Sequence, residues 1–142
     1  MGLRRDVYSG RLKLNGKEHR STIIAANNYA LSLRDLKRHE EAKSLLRKNI
    51  PVARHMLGES HELTLKLRKN YATSLHNDPG ATLDDLREAV ETLAEIERTA
   101  RRVLGGAHPS TAGIEIFLQD ARAKLRAREE SDVCEAVEAM GV

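Results

Sequence analysis

The feature that most constrains this chain is that it repeats itself. His19, Thr22, Asn28, Tyr29, Ala30 and Leu33 recur 42 positions later as His61, Thr64, Asn70, Tyr71, Ala72 and Leu75. Ala42 and Gly58 recur 47 positions later as Ala89 and Gly105, so the second copy is longer by five residues between Leu75 and Ala89. His108 and Thr111 open a third copy, 47 positions after His61 and Thr64. The apolar residues inside each copy fall at helical spacing. A helical unit of this period cannot bury its own apolar face and must stack on its neighbours. The expected fold is therefore all-α: an α-solenoid of stacked antiparallel helix pairs, with almost no strand.

The organisation expected along the chain is a partial helix of a preceding unit in residues 1–18, a first repeat in 19–60, a second with its insertion in 61–107, and a degenerate or partial third in 108–142. Leu3, Val7, Leu12 and Leu14 give the first segment a loose helical spacing that Gly10 weakens. Residues 20–36 and 39–57 form the first pair. Pro51 lies inside the second of these helices and predicts a kink, because it lacks the N–H that the Arg47 carbonyl would accept. Gly58 stands where a left-handed helix cap belongs. Residues 62–76 begin the second pair, and Asn77-Asp78-Pro79-Gly80 reads as a turn carrying the inserted residues. That insertion, Asn77–Leu83, is expected to be a surface excursion. Thr82 and Asp85 have the spacing of a capping box for the helix that runs to Leu104. His108-Pro109 starts a helix over 109–127. A short last helix over 131–140 is expected to turn Val133, Val137 and Met140 inward.

With three Tyr, one Phe and no Trp, the core must be aliphatic. Net charge is +3, from 24 basic and 21 acidic residues, which describes a mixed solvated surface more than a nucleic-acid patch. The distribution is uneven. The first twenty residues hold Arg4, Arg5, Arg11, Lys13, Lys17 and Arg20 against two acids. The stretch from Glu129 holds Glu129, Glu130, Asp132, Glu135 and Glu138 with no base. Cys134 is alone, so no internal disulfide forms. No apolar run approaches a membrane span and the first residues lack the apolar stretch of a secretory signal, so a cytoplasmic protein is expected.

Asn28-Tyr29-Ala30 and Asn70-Tyr71-Ala72, then Glu41-Ala42 and Glu88-Ala89, then Leu57-Gly58 with His61 and Leu104-Gly105 with His108-Pro109, follow one pattern. Over residues 19–112 it resembles tetratricopeptide repeats of the 42-residue kind found in kinesin light chains. The resemblance implies a right-handed superhelix of helix pairs. It also implies a non-catalytic protein–protein interaction module that holds a peptide segment on the concave face lined by the first helix of each pair. By position, that face would hold Ile24, Asn27, Asn28, Leu31, Arg34 and Asp35, then Lys66, Lys69, Asn70, Thr73 and His76, then Gly113, Ile116, Phe117, Asp120 and Lys124. Within this set Asn27, Asn28, Leu31, Arg34, Lys66, Lys69, Asn70, Thr73 and His76 are the expected peptide-binding residues. An Asn amide can serve both the donor and the acceptor of a peptide backbone, and Lys66 and Lys69 would suit an acidic segment. The alternative role for Asn28 and Asn70 is to tie helices together. The alternative role for the whole chain is a structural section of a larger repeat array. The departures are the absence of Gly before Arg38, Asn49 and Ile96 where small residues are usual, and Phe117 and Gln119 in the third unit.

No catalytic or cofactor pattern is present. His61-Glu62 opens like a zinc-protease motif, but Leu65 stands where the second His would be. His19, His61 and His108 recur once per unit, which places them at helix starts as acceptors for backbone N–H groups. Cys134 lies among acids that disfavour a thiolate. The expectation is no metal, no cofactor and no enzymatic activity. Nucleic acid would need stacking aromatics that are scarce here.

Overall fold

The computed structural model of the protein describes residues 2–141. Among these it contains six helices and no strand: α1 (Gly2–Asn15), α2 (Arg20–Asp35), α3 (His39–Leu57), α4 (Glu62–His76), α5 (Leu83–Leu104) and α6 (Pro109–Ala139). Each helix packs on the next, and α4 also touches α2 and α6. No contact joins α3 to α5 or α1 to α3 among the described residues. Thus α4 touches both α2 and α6 in a row, whereas α1, α3 and α5 make no such contact with one another among the described residues. Among the described residues no helix is long and apolar enough to cross a membrane.

The helix starts follow one device. His19, His61 and His108 each accept a hydrogen bond at Nδ1 from the backbone N–H two residues on, at 3.1 Å in all three cases. An extended residue whose side chain accepts that N–H satisfies one of the four orphan donors of a helix start. Three residues before each His stands a glycine at positive φ: Gly16 at 75°, Gly58 at 94° and Gly105 at 93°. Three residues after each His stands a buried Thr. Thr22 Oγ1 donates to the Arg11 carbonyl and Thr64 Oγ1 to the Ala53 carbonyl, each eleven residues back on the preceding helix. Thr111 Oγ1 is buried without a partner. The unit is therefore Gly-x-x-His-x-x-Thr, three times. α5 instead opens on a capping box, with Thr82 Oγ1 accepting from Asp85 N–H and Asp85 accepting from Thr82 N–H.

Two aliphatic clusters fill the interior. Ile23, Ala30, Leu33, Ala42, Leu46, Ile50, Ala53 and Leu67 make one. Leu65, Ala72, Leu75, Ala89, Leu93, Ile96, Ala100, Ile114, Leu118 and Ala121 make the other. Ala42 and Ala89 are fully buried, consistent with close helix approach. Tyr71 packs against both clusters, accepts from Arg47 Nε at 3.2 Å and donates to Glu88 at 3.1 Å. Asn49, buried beside aliphatic neighbours, donates to the Leu45 carbonyl at 2.8 Å.

One expectation is corrected, that of a separate last helix, and three are filled in. α1 is helical over Gly2–Asn15 with Gly10 inside it, at a helical cost of about 1 kcal/mol. α3 runs uninterrupted through Pro51, which sits exposed on its surface. Residues 131–140 are not a separate helix. Ala127-Arg128-Glu129-Glu130 contains no breaker, so α6 continues to Ala139, and Val133, Val137 and Met140 are exposed rather than inward. Finally, the inserted turn is mostly at the surface but is not idle. Asp78 approaches the buried Lys43 ammonium at 3.6 Å, Asn77 accepts from Lys124 at 2.6 Å, and the carbonyl of buried Ala81 accepts from Arg128 at 2.9 Å. At the turn before Arg38, Lys37 takes the positive φ (60°) that glycine normally supplies. The bonds Arg38 N–H to Leu33 C=O and Lys37 N–H to Arg34 C=O complete a Schellman cap there.

Candidate peptide-binding face

The row α2–α4–α6 carries the residues to which sequence reasoning assigned binding, but it divides them. Asn28 and Lys66 are exposed, and Leu31, Arg34 and Lys69 are half-buried. Asn27, Asn70, Thr73 and His76 are buried.

The buried four are corrections. Asn70 Nδ2 donates to Asn27 Oδ1 at 2.6 Å inside the α2–α4 contact. A buried amide pair of this kind ties two helices, because each would leave an unmet polar group without the other. Asn28 and Asn70, equivalent in the repeat, therefore do different things: the bond to Asn70 comes from the residue one place earlier. Thr73 Oγ1 donates back to the Lys69 carbonyl at 2.8 Å, as Ser74 does to Asn70. The His76 side chain is fully enclosed with Nδ1 3.3 Å from an Asp120 carboxylate oxygen, and neither ring nitrogen makes a hydrogen bond. Burial, with help from the Lys124 and Arg34 charges, pushes its pKa down to about 4 against the pull of Asp120, so the ring is neutral.

Between the starts of α2 and α4 lies an opening of about 290 Å³ whose lining includes Ile24, Asn28, Leu63 and Lys66. Lys66 pairs with Glu62 at 3.5 Å, and Ser110 on α6 donates to the same carboxylate oxygen at 2.9 Å. These contacts, the Ser110 bond first, hold the Glu62 carboxyl below its ordinary range.

Further along the row two cations enter no ion pair among the described residues. Arg34 Nη1 is buried with no acceptor, and burial lowers the guanidinium's affinity for its proton, partly offset by Asp35. The Lys69 ammonium makes no ion pair among the described residues and lies 5.6 Å from the centre of the Phe117 ring. Burial first, then repulsion from Arg34 and Lys66, pushes its pKa down. A half-buried cation prefers a carboxylate to water, and these two share one unneutralised field. Phe117, which sequence reasoning treated as a departure from the repeat, supplies the aromatic wall.

A second opening, of about 240 Å³, lies on the other side, where Arg47, Pro51, Arg54 and Arg68 face Tyr71 and Glu88. Nothing in the sequence singled it out. Arg68, buried on α4, reaches Glu95 on α5 at 3.1 Å and Glu59 after α3 at 3.8 Å. No group of three His, Cys, Asp or Glu side chains that could hold a metal occurs among the described residues. No protein-family model matches this sequence, and no curated protein matches it.

Proposed function

We propose that this chain is a tetratricopeptide-like α-solenoid that binds an extended segment of another protein, without catalysis, on a concave face made by α2, α4 and α6. The observation that carries the reading is the pair of cations on that face that enter no ion pair among the described residues: Arg34 with a buried, acceptor-less Nη1 and Lys69 over Phe117. A bound carboxylate would supply the missing acceptor, and a charge-assisted hydrogen bond there is about twice as strong as a neutral one. Asn28, Leu31 and Lys66 extend the contact towards the opening at the helix starts. Asn27 and Asn70 hold the two helices at the spacing the groove needs.

The test is selection from a displayed peptide library, followed by titration calorimetry with the peptides recovered. Enrichment of Asp- or Glu-containing peptides is expected, and Arg34→Ala and Lys69→Ala should each weaken binding about tenfold or more with the thermal melt unchanged. Peptides that bind equally well to both variants would overturn the placement. Failure to recover any binder would overturn the function. A second reading, a structural section of a longer repeat array, is favoured by the uncovered apolar residues on α1 and α6.

A further inference from the structure

The two outermost helices present faces that fit each other. α1 packs on α2 alone. α6 packs on α5 and α4 through its first half, and its last side-chain links to the rest of the fold are Arg128 to Ala81 and Glu129 to Arg87. From residue 126 to residue 141 every residue is exposed.

Both uncovered surfaces carry an apolar stripe along one helical face. On α1 the stripe is Leu3 (77% exposed), Val7 and Leu14 (81%). On α6 it is Val133 (63%), Val137 and Met140 (74%). At about 100° per residue, each triplet falls within roughly 60° of arc. α1 carries Arg4, Arg5, Arg11 and Lys13 against Asp6 alone. The α6 end carries five acids and no base from Glu129 onward. Arg11 and Lys13 on one side, and Glu130, Glu135 and Glu138 on the other, enter no ion pair among the described residues. Acids near a helix C-terminus also oppose the helix dipole, which an approaching cationic surface would offset.

We infer that the occupant of the free half of α6 is α1 of a second copy of this chain. The two helices lie antiparallel, so that Leu3 and Val7 meet Met140 and Val137 while Arg4 and Arg5 approach Glu138 and Glu135. The contact joins unlike surfaces, so it does not close on itself and copies add head to tail. The inference does not rest on the peptide-binding reading, since neither stripe touches the α2–α4–α6 face.

Sedimentation equilibrium on the full chain tests this. Two variants carry paired substitutions at exposed sites: Leu3→Asp with Val7→Asp blocks the head, and Val133→Asp with Val137→Asp blocks the tail. For the unaltered chain the average mass should rise above 15.9 kDa with concentration and fall back as salt is added. Each blocked variant alone should stay at 15.9 kDa with its helical circular dichroism retained. An equimolar mixture of the two should stop at the mass of two chains, because only one intact head and one intact tail remain. A mass fixed at one chain for the unaltered protein up to millimolar concentration overturns the inference. So does a dimer that survives the head block and is lost with the tail block, which would mean symmetric tail-to-tail pairing or a different partner surface.

Discussion

α1 and α4 differ by one residue in length, 14 against 15, and both are rich in leucine. None of α1's residues is buried, whereas ten of α4's are. Composition does not explain the contrast, because α4 is as polar as an ordinary surface helix. What differs is company: α4 has α3 and α5 packed on it and α2 and α6 beside it, while α1 has only α2. In α4 the polar side chains are caught inside and must find partners there. Asn70 takes Asn27, Arg68 takes Glu95, Thr73 and Ser74 bond back to their own helix, and His76 faces Asp120 at 3.3 Å without a hydrogen bond. A helix in this molecule is a core element because of what surrounds it.

The contrast breaks most directly on matched truncations. Leu75→Ala, at a fully buried site, should cost about 2–5 kcal/mol, and Leu3→Ala within about 0.5 kcal/mol of nothing, in urea unfolding. Comparable losses at the two sites would show that α1 is covered in solution within the single chain.

Acid should act next most strongly, through His76. Its folded pKa of about 4 lies below the ordinary 6.5. Between those values the unfolded chain binds a proton that the native ring refuses, so stability is full above pH 6.5 and falls as pH drops towards 4. The His76 share is at most about 3 kcal/mol, at 1.36 kcal/mol per unit. Subtracting the unfolding free energies of a His76→Gln variant, pH by pH, isolates it from the carboxylates. A difference that is flat with pH would mean the ring is wet.

The two equivalent asparagines sharpen the comparison within the repeat. Asn70→Ala leaves Asn27 Oδ1 buried without its donor and should cost about 1–3 kcal/mol. Asn28→Ala should stay within about 0.5 kcal/mol. Equal effects would contradict the one-place offset between the units. The smallest effect is expected at the α2 end, where Lys37→Gly relieves a left-handed residue and should raise stability by about 1 kcal/mol in thermal melts.

Much of this was legible from residue patterns, and the reason is local. The His caps, the Gly58 and Gly105 links and the Thr82–Asp85 box act over two to four residues, so spacing alone shows them. The helix pairs were legible because apolar periodicity needs no knowledge of the partner. What stayed hidden depends on neighbours far along the chain. Asn28 and Asn70 share a repeat position, but α4 has α2 before it in the row to supply Asn27, and α2 has no such helix before it, so one is exposed and the other enclosed. His76 looked available for the same reason. The single long α6 was read as two helices although nothing in Ala127-Arg128-Glu129-Glu130 breaks it. Arg34 and Lys69 were named with the face, yet only the structure shows that neither enters an ion pair among the described residues.

Gly58 and Gly105 share almost the same backbone angles, φ 94° and ψ 162° against φ 93° and ψ 153°. Around each, the glycine N–H returns to the carbonyl four residues back, and the following His N–H reaches the glycine carbonyl at 3.4 and 3.3 Å. The stretch between them therefore begins and ends on interchangeable joints, like a cassette cut with one tool at both edges. Duplicating residues 58–104 at Gly105 should graft a further helix pair without a new junction having to be invented, adding helical circular dichroism in proportion to its length. Loss of cooperative melting in that longer chain would show that the joints match only in outline.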